Sequence, residues 1–259
     1  MRTDLVKLLL LLIVLAVVVV VLAGYFGGGE RTPGGFDHNP QGAPSHNAPG
    51  ESDRGPQEES GRNPPGRFDY YLLVLGWSPT YCASERHDRS DQQCETRHPR
   101  SFVLHGLWPQ YERGWPKGCA TGARPWVPRP VIDKMLDVMP STHLIIHEYQ
   151  THGTCSGLGP TEYFSAAREL YDRVRIPSRY ADPATRLEAS PDEIERDFVA
   201  ANPWLKPDMM AVACRGEDLL DVRFCFGRDL APRPCGANEG EKRLCRQDTV
   251  SLRPAEAGR

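Results

Sequence analysis

The chain has 259 residues, 39 % of them hydrophobic, enough to build a core in one large domain or two small ones. A formal charge of −3, near-neutral with no Lys/Arg run, excludes a protein that grips duplex nucleic acid by neutralising many phosphates. Any polyanion must be handled by a local site. All eight cysteines fall between Cys82 and Cys245 with no Cys-x-x-Cys pair, which argues against a zinc finger or ribbon and for disulfides made in an oxidising compartment. On these grounds alone about a hundred pairings stay open.

Leu8 to Phe26 is an uncharged run of nineteen residues, mostly Leu and Val, behind Arg2 and Lys7. As a helix it nearly covers the ~30 Å hydrocarbon core of a bilayer and exceeds the usual signal-peptide core. We read residues 1–26 as an uncleaved signal anchor. The alternative is a cleaved signal peptide, for which Val21-Leu22-Ala23 offers a loose site. The basic residues before the run place the rest of the chain outside the cytoplasm either way. Residues 27–67 hold ten Gly and seven Pro with almost no aliphatic side chains, so they form a flexible tether.

Phe68 to Trp77 is a continuous apolar and aromatic run closed by Ser78-Pro79, the pattern of a buried central strand. Ser101 to Leu107 predicts a second strand leading into Trp108-Pro109. Pro130 to Val138 predicts a short helix, and Pro160 to Val174 a longer one whose Phe164, Ala167, Leu170 or Tyr171, and Val174 share a face. Ser190-Pro191-Asp192-Glu193 before Ile194 is a capping box with Pro inside it. Met209–Cys214 and Leu219–Phe226 predict a strand pair. In the second, Leu220, Val222, Phe224 and Phe226 alternate with Asp221, Arg223 and Cys225, implying one face in the core and one nearer solvent. Strands at both ends of a helical middle give an α+β domain, a largely antiparallel central sheet flanked by helices, over residues 68–245. Residues 246–259 read as a polar C-terminal tail.

Two segments carry ionisable groups in apolar surroundings: Phe102-Val103-Leu104-His105-Gly106-Leu107-Trp108-Pro109-Gln110, and His147-Glu148-Tyr149-Gln150-Thr151-His152-Gly153-Thr154-Cys155. The second invites a zinc-protease reading. Zinc binding of that kind needs histidines four apart on a helix, whereas His147 and His152 are five apart, roughly 140° around an α-helix. Glu148 and His152 are four apart, about 40° around, and so point into one space, flanked by His147. Glu148 is thereby placed to orient an imidazole or to raise its pKa. His105 taken alone reads most simply as a structural histidine, and Trp108 as core, although Trp108 also offers a face to a nucleobase.

The two segments together resemble the active-site segments of the ribonuclease T2 family, secreted acid endoribonucleases of broad base tolerance. The resemblance runs from Phe68 to about Cys245 and includes Phe-Asp-Tyr-Tyr followed by Trp77-Ser78-Pro79-Thr80-Tyr81-Cys82. It implies His105 as general acid toward the leaving 5′-oxygen and His152 as general base on the ribose 2′-hydroxyl. It further implies Glu148 as a transition-state stabiliser, His147 as a phosphate-binding histidine and Trp108 as a base-stacking aromatic. The disulfides it implies are Cys119–Cys155, Cys214–Cys245 and Cys225–Cys235, leaving Cys82–Cys94. Two positions depart from the family pattern. Thr151 stands where a lysine usually precedes the second histidine, removing a positive charge beside the phosphoryl group. Gln110 replaces a frequent acidic residue and leaves base preference open.

The expectation is a monomeric, exported endoribonuclease that cleaves single-stranded RNA through a 2′,3′-cyclic phosphate. The ribose holds its own nucleophile beside the phosphorus, so proton transfer and charge stabilisation are what the protein must add, and neither a metal nor a cofactor is called for. Residues 8–26 would bind it to a membrane if the anchor is kept. The alternative is a catalytically weakened RNA-binding or partner-binding module on the same fold, favoured by Thr151. A metallohydrolase is a third reading, opposed by the histidine spacing.

Overall fold

The computed structural model describes residues 64–84, 92–94, 100–119 and 125–254. The membrane-anchor reading of residues 8–26 and nearly all of the tether reading lie outside these residues. The last tether residues belong to the folded domain: Gly66 donates its N–H to the Cys155 carbonyl at 3.0 Å. Its backbone also lies so close to Gly157 that a Cβ on Gly157 would stand 3.0 Å from the Gly66 nitrogen.

Six strands form one sheet: β1 (Tyr70–Trp77), β2 (Phe102–Gln110), β3 (Leu187–Ala189), β4 (Met210–Arg215), β5 (Asp218–Gly227) and β6 (Val250–Leu252). Their order is β2-β1-β5-β6-β3, with β4 also paired to β5. Every pairing is antiparallel except a single parallel link between β5 and β6. β1 sits between β2 and β5 and is buried on both faces, which is why its sequence is unbroken apolar rather than alternating. Tyr71, Leu73, Leu75 and Trp77 face the main core, where Ile145, Tyr163, Phe164, Leu170, Ile194 and Phe198 cover them. Tyr70, Leu72 and Val74 face the other way and form a smaller cluster with Cys225, against which Trp108 packs.

The helices fall close to the sequence expectation, at Arg129–Met135, Pro160–Arg173 and Pro191–Ala201. Ser190 Oγ accepts from Glu193 N–H while Glu193 accepts from Ser190 N–H, the reciprocal cap that fixes the start of the last of these. A helix over Thr142–Glu148 precedes the second histidine segment.

Three expectations are corrected. β2 does not stop at Leu107 but runs on through Trp108-Pro109-Gln110; as β2 ends the strand order, a residue without an N–H is tolerated there. The Asp221/Arg223/Cys225 face of β5 is not turned to solvent: Asp221 and Cys225 are buried and Arg223 is half-buried, while Leu220 on the supposed core face is partly open. Nor is the stretch after Cys245 a polar tail throughout. Val250 and Leu252 are fully buried, β6 pairs with β3, and Trp77 Nε1 donates to the Arg253 carbonyl at 3.1 Å. A three-residue strand in polar surroundings carries too little periodicity to be read from sequence, and tertiary pairing decides it.

Four disulfides staple the domain: Cys82–Cys94, Cys119–Cys155, Cys214–Cys245 and Cys225–Cys235. Cys119–Cys155 clamps the chain two residues after Gly153, beside the second histidine segment.

Candidate active site

Strand alternation would put His105 and Trp108, three residues apart, on opposite faces of β2. A β-bulge removes the conflict. Val74 pairs with Gly106 and Leu75 with Leu104, so His105 is the extra, unpaired residue. Bulges re-aim side chains next to functional sites, and this one lets His105 and Trp108 share the face away from the main core. A Cβ on Gly76, across the strand, would lie 3.5 Å from His105 Nδ1.

The second segment is not α-helical throughout. The helix ends at Glu148, and Tyr149–Gly153 form a π turn in which Thr154 N–H reaches the Tyr149 carbonyl five residues back. In such a turn residues five apart, rather than four, stand one turn on. The 140° separation expected for His147 and His152 therefore does not hold. Both residues come within electrostatic range of His105.

Glu148 joins the two segments. It is 2 % exposed; one carboxylate oxygen accepts from Trp108 Nε1 at 2.7 Å, and the other lies 3.4 Å from His105 Nε2. The Trp108 ring stacks on His152 at 4.8 Å and 20° and meets His105 edge-on at 5.5 Å. Gly106 makes room for this: a Cβ there would collide with the Glu148 carboxylate and stand 2.6 Å from Trp108 Nε1. Tyr163 fixes the strand alongside, its hydroxyl donating to the Leu107 carbonyl at 3.0 Å and accepting from Leu107 N–H at 3.2 Å.

Burial sets the proton affinities. Loss of water pushes Glu148 up to about 8, opposed by the Trp108 N–H. It drives His152 down to about 3, helped by the neighbouring His105 and His147. His105 is also lowered by desolvation; Asp221 opposes this, and His147 and Arg223 add to it. Its side chain remains 40 % open to the cleft, so water moderates the effect. A neutral Glu148 beside a neutral His105 carries the same proton count as a carboxylate beside an imidazolium. Glu148 therefore keeps its proton over the middle of the pH range beside His105, while His152 stands neutral.

Two clefts flank this centre. One, about 410 Å³, is lined by His152, Trp108, Gln110, Trp115, Arg223 and Asn238 among others. The other, about 260 Å³, is lined by His105, His147, His143, Gly76 and Arg215 among others. His147 stacks parallel to His143 at 6.3 Å. Gln110 is 5 % exposed and accepts from Asn238 Nδ2 at 3.4 Å. Thr151 is exposed and lines neither cleft. Trp108 is engaged by His152, Glu148 and His105, so it positions the site more than it offers an open platform. Trp115, 47 % exposed at the mouth of the larger cleft with Lys117 Nζ 4.8 Å from its ring centre, is the more exposed aromatic there; sequence reading missed it because one Trp in a Gly/Pro loop has no periodicity. Among the described residues, no group of three or more His, Cys, Asp or Glu is placed to hold a metal ion.

The model of the ribonuclease T2 family matches residues 68–230. A ribonuclease of Aeromonas hydrophila is 40 % identical over 112 residues, 43 % of this chain and 49 % of the relative. A probable ribonuclease of Haemophilus influenzae is 30 % identical over 150 residues, 53 % of this chain and 52 % of the relative. The chain thus spans about half the length of these relatives. Among solved structures, the RNase-related protein from Calystegia sepium has a TM-score of 0.57 at 25 % identity, covering 73 % of this chain and 98 % of that one. Trichomaglin has a TM-score of 0.58 at 23 % identity with the same coverage and shares the fold.

Proposed function

The chain belongs to the ribonuclease T2 family, and on that premise we propose that it is an endoribonuclease that cleaves single-stranded RNA by metal-independent transphosphorylation. The observation that carries the reading is that His105 and His152 both lie against the Trp108 ring, with Glu148 tied to both Trp108 and His105. His152, neutral to about pH 3, takes the proton from the ribose 2′-hydroxyl as its oxygen attacks phosphorus. The P–O5′ bond breaks, and His105, with Glu148 3.4 Å away to resupply it, gives a proton to the departing 5′-oxygen. The product is a 2′,3′-cyclic phosphate. Water then opens it to a 3′-phosphate with the two histidines in exchanged roles. DNA, lacking the 2′-hydroxyl, is not cut.

These roles place the nucleoside bearing the 2′-hydroxyl in the cleft beside His152, where Trp115 offers a stacking face, worth about 1 to 3 kcal/mol per base, and Gln110 lies within. The leaving nucleoside then occupies the cleft beside His105, with His147 toward the phosphate. The test is digestion of RNA by the purified protein in EDTA. His152→Ala is expected to abolish release of cyclic-phosphate ends, and the parent a bell-shaped pH profile, since one histidine must be neutral and the other protonated. Full activity in the variant rejects the assignment. RNA binding without cleavage by the parent would instead favour a binding module, the reading that the uncharged Thr151 supports.

The export reading goes with this proposal. Four disulfides suit a periplasmic or extracellular enzyme, acting as a monomer and held to the membrane by residues 8–26. N-terminal sequencing of the native protein is expected to find that run intact; a start near Gly24 refutes the anchor.

A further inference from the structure

If both imidazoles are engaged in proton transfer, neither provides constant positive charge for the transferring phosphoryl group, and electrostatic stabilisation is usually the largest catalytic term. Thr151 adds none. The cleft beside His152 holds a cation from another part of the chain. Asp221 and Arg223 are two apart on β5 and share a face; they pair with Gly76 and Val74 of β1, placing them on the side of the sheet where His105 and Trp108 lie. The Arg223 guanidinium stands 5.4 Å from the centre of the Trp108 ring and lines the cleft with Trp108 and His152.

Its orientation is fixed. Arg223 Nε donates to Asp221 Oδ1 at 2.7 Å and Nη2 to Oδ2 at 3.4 Å, and Asp221 is 3 % exposed. A carboxylate so buried needs a cation beside it, so the pair holds together. This side-on pairing uses Nε and one Nη2 hydrogen. Among the described residues, Nη1 donates to no protein acceptor. Planar guanidinium with a free N–H edge matches phosphate oxygens. The other arginines on the clefts differ: Arg215 and Arg243 are exposed, and neither forms an ion pair among the described residues.

We infer that Arg223, preset by Asp221, is the catalytic cation that binds the scissile phosphate and stabilises its transition-state charge. The sheet, rather than the helical segment carrying His152, supplies the charge. This inference rests on the RNA-cleaving reading of the site.

The test is steady-state cleavage of an RNA dinucleotide in EDTA by the full chain and two variants. Arg223→Met combined with Asp221→Asn keeps the apolar stem over Trp108 and leaves no buried charge unpaired. Arg223→Ala leaves space for free guanidinium. Expected are a fall in kcat/KM of about 10²-fold in both, judged from loss of a single oxyanion donor, and at least about tenfold recovery of Arg223→Ala by millimolar guanidinium. Activity of the double variant within about threefold of the parent overturns the inference. So does a folded Arg223→Ala variant that is inactive and unresponsive to guanidinium, which assigns Arg223 to packing under Trp108. A parent that cleaves RNA and loses this with His152→Ala keeps the broader reading alive whichever way Arg223 falls. A parent that does not cleave sinks both.

Discussion

Glu148 shows how one buried side chain ties stability to function. Its pKa rises from an ordinary 4.5 to about 8 because burial penalises the carboxylate. Between those values the folded protein keeps a proton that the unfolded chain has released, so stability falls as pH rises through this window. His152 works in the opposite direction: lowered from 6.5 to about 3, it makes the unfolded chain the better proton binder, and stability falls as pH drops through that range. Glu148→Gln keeps an acceptor for Trp108 but cannot ionise. Its melting temperature relative to the parent is therefore expected to be higher at pH 8 than at pH 5, with activity reduced. Thermal denaturation at both pH values checks this; an equal difference at the two refutes the buried-acid account.

At the scale of elements, two irregularities build the site. The bulge at His105 brings two residues of opposite parity onto one face, and the π turn at Tyr149–Gly153 rotates His152 relative to His147. Both are braced from outside their own segments. Tyr163 pins β2 at Leu107, and the Cys119–Cys155 disulfide holds the chain just after the π turn. Replacing both cysteines by serine is expected to lower stability by about 2 to 5 kcal/mol. Because His152 loses its anchor, cleavage at a temperature where the variant is still folded should fall as well. Denaturant melts and activity at that temperature provide the measurement; unchanged activity in the folded variant would show that the π turn holds itself.

For the whole molecule, the near-neutral charge limits how the proposed RNA substrate can be held. A protein making six to ten phosphate contacts loses roughly 10³- to 10⁵-fold in affinity between 50 and 200 mM salt. With only a few cations at its clefts, the protein, acting on RNA as proposed, is expected to lose less than about tenfold in kcat/KM over that interval. A steep salt slope would instead require an extended basic track along the RNA path.

Linear sequence determined what depends on neighbours along the chain: the apolar run of β1, the capping box at Ser190, the Pro-initiated helix at Pro160, and the two segments bearing His105 and Glu148–His152. Those signals are periodic or contiguous, so chain order carries them. Tertiary structure decided what depends on partners far away. The bulge exists through the pairing of β2 with β1, β6 through its pairing with β3, and the burial on the second face of β5 through the Cys225–Cys235 disulfide and the Asp221–Arg223 ion pair. Asp221 and Arg223 become part of the site only when the sheet brings strands more than a hundred residues apart into one register, a distance that no local pattern in the letters encodes.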